Sequence, residues 1–82
     1  MDNFNVYILH SSTLNKYYVG YTSLSIEERL RRHNSNHKGF TGKANDWVVK
    51  WSEYHPDKAS ALLKEKQIKK RGAQRFLDAA KA

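Results

Sequence analysis

Glu65 stands where a carboxylate is least expected. At a helical repeat its i±3 and i±4 neighbours are Ala61, Leu62, Ile68 and Lys69, three of them apolar. The spacing therefore puts the acid on a core-facing stripe of a helix otherwise crowded with lysine. An unpaired carboxylate there is costly, so it should meet a cation or a metal ion. Upstream, Ile26 and Leu30 lie within about 40° of each other at helical pitch and mark a second buried stripe. Arg29 and His33, four residues apart, fall on its flank, whereas Glu27, Glu28, Arg31 and Arg32 point toward solvent. Spacing alone leaves two readings of Glu65 open, a metal ligand or an ion pair with Arg29 that joins two helices. Tyr7 and Tyr18 sit in two runs of β-formers. If those runs pair, both phenols project from one sheet, either to pack or to act on protons. Gly20 removes a side chain on the parity of Tyr18, which either leaves room for a phosphate or ends the strand.

The elements that must hold these groups can be read around them. Phe4 to Leu9 and Lys16 to Tyr21, separated by a short polar stretch, predict an antiparallel hairpin. Ser25 and Glu28 form a capping-box pattern that opens a helix from about Ile26 to Asn34. Residues 35 to 46, with Gly39 and Gly42, read as a loop. Trp47 to Tyr54 is a third strand, closed by Pro56. Asp57 caps a second helix that runs through Arg71 to a stop at Gly72, and Phe76, Leu77 and Ala80 suit a short final helix. The class is α+β: a three-stranded antiparallel sheet flanked by helices in the order ββαβαα, with residues 1–82 as a single domain.

With 82 residues there is room for one modest core, and ten aromatics among them make a disordered chain untenable. No cysteine is present, which excludes a disulfide framework and a thiolate zinc site. Fifteen Lys and Arg against eight acids give a net charge of +7, suited to a polyanion such as nucleic acid. No apolar run approaches ~18 residues, so no membrane span is expected. Met1-Asp2-Asn3 lacks the features of a signal peptide, and the expected location is the cytoplasm.

Asn5-Val6-Tyr7 followed by Tyr18-Val19-Gly20 resembles the paired tripeptide signature of the GIY-YIG nuclease superfamily. Glu28 to Asn34 resembles that family's first helix, whose arginine and histidine match Arg29 and His33. Ala61 to Lys70 resembles the helix bearing its metal-binding glutamate, matched by Glu65. The resemblance runs from about Phe4 to Arg71 and is closest to small stand-alone members. The first glycine of the signature is Asn5 here, and no Asn follows Glu65, where many catalytic members carry one; Gln74 and Asp78 are the nearby polar residues. What the resemblance implies is a metal-dependent endonuclease, acting on DNA in preference to RNA. Glu65 would hold Mg²⁺ or Mn²⁺ and Arg29 would stabilise charge on the phosphate. Tyr7 would serve as general base, Tyr18 would orient water or phosphate, and His33 would assist proton transfer. A phenol of pKa about 10 is a poor base unless cations lower it, so the choice between Tyr7 and His33 stays open.

Lys38, Lys43, Lys64, Lys66, Lys70 and Arg71 supply a basic surface for phosphates, or simply a solvated face. Phe40 and Trp47 could stack on bases, although Trp47 at a strand start suits the core. Gly39 to Ala44 lacks the phosphate-loop spacing, and His33 with His37 lacks further zinc ligands. A second class of function fits the same residues: a nucleic-acid-binding module without turnover. In either case the surface is small, and an unidentified protein partner could supply targeting.

Overall fold

β1 (Phe4–Ser11) is the middle strand of a three-stranded antiparallel sheet, flanked by β2 (Lys16–Thr22) and β3 (Val48–His55) in the order β2-β1-β3. The helices are α1 (Ile26–His33), α2 (Lys58–Arg71) and α3 (Ala73–Ala80). The computed structural model describes residues 3–35 and 40–80, with only the backbone of Phe40 and Thr41; Lys38 and His37 lie outside the described residues. The order ββαβαα and the α+β class are as expected, and element ends fall within a residue or two of their sequence signals. One addition is a short 3₁₀ turn over Phe40–Lys43, inside the stretch read as loop.

A central strand has two faces to cover, and Val6, Tyr7, Ile8 and Leu9 are all buried. Val6 and Ile8 pack with Val19, Ala61 and Ile68, beneath α2 and α3. Tyr7 and Leu9 pack on the opposite face with Trp47, Ile26 and Leu30, beneath α1. Hence α1 and α2 cover opposite faces of the sheet. Trp51 meets Phe76 edge-on at 4.8 Å between ring centroids, anchoring α3 to the α2 side. Trp47 is buried in the core, as its position at a strand start indicated.

Local chemistry fixes the ends. Ser25 Oγ accepts from the Glu28 amide at 3.2 Å, while the Glu28 carboxylate turns to Arg31 and Arg32 rather than back to the cap. Asp57 accepts from Ser60 N at 2.8 Å to start α2. Gly72, at φ +98°, ends it with its amide on the Ile68 carbonyl. Two contacts invisible to local patterns tie the loops down. The Asn34 side chain grips the Trp47 backbone at both ends, accepting from its N–H at 2.8 Å and donating to its carbonyl at 3.1 Å. Asp46 accepts from Ser11 Oγ, Thr13 N and Thr13 Oγ1 within 2.9 Å, pinning the β1–β2 turn. Those bonds, from the Ser11 hydroxyl first and then the Thr13 amide, lower its carboxyl to a pKa of about 2. Among the described residues no helix is long and apolar enough to cross a membrane.

Candidate active site

An open cleft of about 810 Å³ lies along the outer edge of β2. Tyr18, Gly20 and Thr22 form its floor, Arg29 and Arg32 of α1 one wall, and Lys58 and Glu65 of α2 the other. It exists because β2 is an edge strand whose two faces carry different helices. Groups from opposite sides of the sheet therefore meet past its rim.

Tyr7 and Tyr18 project from one sheet, as the hairpin reading allowed, and both lie on the α1 face. In the register Tyr7 faces Gly20 and Leu9 faces Tyr18, so the two phenols are diagonal neighbours, with ring centroids 6.3 Å apart. The Tyr7 hydroxyl lies 2.8 Å from His33 Nε2 and accepts from Arg29 Nε at 3.2 Å. Tyr7 and His33 are only 1% and 4% exposed. Burial pushes the Tyr7 phenol above its ordinary value of 10.0; the hydrogen bond and charge of Arg29 pull the other way but are outweighed. The sequence argument looked to cations to lower this phenol, and in the protein alone desolvation wins. The same hydrogen bond from Arg29 to Tyr7 is the main influence raising the guanidinium's own pKa.

Gly20 answers the question left by its parity. A β-carbon there would stand 2.7 Å from the Tyr7 hydroxyl oxygen and 3.0 Å from Tyr18 Cε2. Glycine thus lets the buried phenol approach the cleft floor.

Glu65 shares the stripe of Ala61 and Ile68, both fully buried, while its own side chain keeps 13% exposure at the cleft. The ion pair with Arg29 that spacing allowed is not formed. Arg29 is engaged by Tyr7, and Glu65 Oε2 instead lies 3.5 Å from Lys69 Nζ, one turn along its own helix. Among the described residues no three acids, histidines or cysteines converge into a cage. A single carboxylate on an open cleft fits a hard cation that retains water and takes further oxygen ligands from substrate.

Tyr18, Arg29 and Glu65 line the cleft and Tyr7 and His33 lie buried behind it, but the basic residues picked for binding do not line it. Lys43, Lys66, Lys70 and Arg71 are exposed elsewhere, and Lys64 Nζ sits 5.3 Å over the Phe76 ring. Arg32 and Lys58 line the cleft instead. Arg32 had been placed among solvent-facing charges, and it is both exposed and on the rim. Neither showed a sequence signal, because a cleft between elements distant in the chain leaves none. Gln74, the polar residue nearest the missing Asn, accepts from the Tyr17 hydroxyl and donates to Asp78, away from the cleft lining.

An arginine, two phenols and a carboxylate gathered at a sheet edge suit the binding of a phosphodiester and proton transfer beside it. The chain belongs to the family of the GIY-YIG catalytic domain, whose model matches residues 3–76. That family is one of endonucleases that act on nucleic acid and generally use divalent metal ions. Neither a curated protein nor a solved structure matches the chain.

Proposed function

We propose that the protein is an endonuclease that hydrolyses phosphodiester bonds, of DNA in preference to RNA, with a divalent ion at Glu65. The observation that carries this is the Tyr7 hydroxyl, held between Arg29 and His33 directly behind Gly20. Arg29 can only donate, and His33 Nε2 can accept. Tyr7 in its phenol form can then take a proton from an attacking water while passing its own to His33. The water oxygen bonds to phosphorus, the bond to the leaving oxygen breaks, and the leaving oxygen takes a proton from solvent. Tyr18 orients the water or the phosphate, and Arg29 offers donors to the phosphoryl oxygens as charge develops on them. Glu65 would hold Mg²⁺ or Mn²⁺, which when bound supplies Lewis-acid polarisation of the phosphate.

A binding module without turnover is the second reading. It is favoured by the absence of an Asn beyond Glu65, with Gln74 committed to Tyr17 and Asp78. One assay separates the two. Supercoiled plasmid, single-stranded and branched DNA and a structured RNA are incubated with Mg²⁺, Mn²⁺ or EDTA, using wild type and Glu65→Ala. Metal-dependent cutting by wild type alone is the expected result. Binding without cutting on every substrate supports the module, and wild-type cutting by Glu65→Ala overturns the role of Glu65.

A further inference from the structure

A second hollow, of about 360 Å³, continues along β2 beyond the cleft. Tyr17, Tyr18, Val19, Lys69 and Ala73 line it, and Tyr18 borders both hollows. Lys69 lines the second hollow, one helical turn or about 6 Å along α2 from Glu65, which lines the first. It is the cation paired with Glu65 at 3.5 Å, and its side chain is 55% exposed where that of Glu65 is 13% exposed. Sequence spacing set it four residues from Glu65 but gave it no role.

An ammonium on that carboxylate occupies the charge that a divalent ion would need. With a divalent ion held at Glu65, Lys69 would lose its partner but stay tethered over the second hollow. A nucleic-acid strand laid along β2 would there present the phosphate next to the scissile one. We propose that Lys69 is a positioning residue that exchanges partners: it holds Glu65 in the metal-free protein and a flanking substrate phosphate in the metal-loaded one. This rests on the nuclease reading above. It makes metal and substrate binding mutually reinforcing, since each favours the released lysine.

The test uses the full chain as wild type, Lys69→Gln, Lys69→Arg and Lys66→Gln, with circular dichroism to confirm the fold. Calcium titrated calorimetrically into protein alone reads the first partner. Lys69→Gln should bind Ca²⁺ about two- to fivefold more tightly, the range set by a half-exposed ion pair. The second partner is read from a phosphorothioate duplex, which resists hydrolysis, bound at several salt concentrations in EDTA or Ca²⁺. In Ca²⁺ the slope of log affinity against log salt should be shallower for Lys69→Gln than for wild type by about 0.9, one phosphate contact. In EDTA the two slopes should coincide, and Lys69→Arg should follow wild type throughout. Lys66→Gln, next to Glu65 in the chain but not paired with it and lining neither hollow, should have the same effect with and without Ca²⁺. Unchanged Ca²⁺ affinity, or a slope difference that is equal in both conditions, overturns the exchange. A wild type that holds no DNA overturns the exchange and the nuclease reading together. Intact cleavage with unchanged Ca²⁺ affinity overturns the exchange alone.

Discussion

The Tyr7 hydroxyl has one proton and two partners, of which only His33 can receive it. Because burial favours the phenol, the proposed role of Tyr7 as a base would need that acceptor. Tyr7→Phe and His33→Gln should therefore each lower single-turnover cleavage by about 10²–10⁴-fold. The glutamine keeps a hydrogen-bond acceptor for the phenol and cannot take its proton. The double variant should be no slower than the worse single, as for groups acting as one unit. Multiplying losses would show independent roles. Folding carries its own signature of the same phenol. With its folded pKa above 10.0, Tyr7 stabilises the protein fully below pH 10, and this is lost as pH rises toward the folded value. Urea titrations at pH 8, 10 and 11 should show wild type losing more stability than Tyr7→Phe. Gly20→Ala tests the neighbouring contact. Its β-carbon at 2.7 Å from the hydroxyl oxygen should cost about 1–3 kcal/mol and suppress cleavage, and pairing it with Tyr7→Phe should restore part of the stability.

Strands and helices matter here for where they deliver these groups. The hairpin reading put Tyr7 and Tyr18 on one sheet, and that the two phenols share a face follows from the strand register. The pitch of α1 placed Arg29 with His33. Glu65 was legible for the same reason, an acid on an apolar stripe. What local periodicity does not encode is the side of the sheet that each helix covers. That α2 reaches the cleft around the free edge of β2 depends on contacts between residues forty to fifty positions apart (Val19 with Ala61 and Ile68). The Asn34 grip on Trp47 and the Asp46 staple escaped for the same reason. Asp46 yields an acid-pH prediction at this scale. Its carboxyl, near 2 rather than 3.8, contributes stability present above pH 3.8 and lost as pH falls toward 2. Asp46→Asn should flatten that part of the acid unfolding curve, as followed by tryptophan fluorescence. An unaltered curve would mean that the turn holds without the carboxylate.

Over the whole molecule, a net charge of +7 makes affinity for nucleic acid salt-dependent, while leaving open where the strand lies. Two sets of exposed cations can be compared. Arg32 and Lys58 border the cleft, whereas Lys66, Lys70 and Arg71 line no part of it. A surface this limited has few donors for reading bases, so recognition by substrate shape or through a protein partner suits it better than a long sequence. If substrate tracks β2, Arg32→Ala with Lys58→Ala should weaken duplex binding and flatten the salt slope by about 1.8, two phosphate contacts at roughly 0.9 each. Cleavage should fall with it. The Lys66→Ala, Lys70→Ala and Arg71→Ala combination should leave single-turnover cleavage within about threefold of wild type, because these charges contribute to encounter but do not touch the scissile region. Fluorescence anisotropy across a salt series, with Glu65→Ala as a non-cutting background, measures both sets on one scale. If the α2 set proved the stronger, nucleic acid would lie across that helix rather than along the sheet edge, and the neighbouring phosphate assigned to Lys69 would have to be sought on the far side of α2.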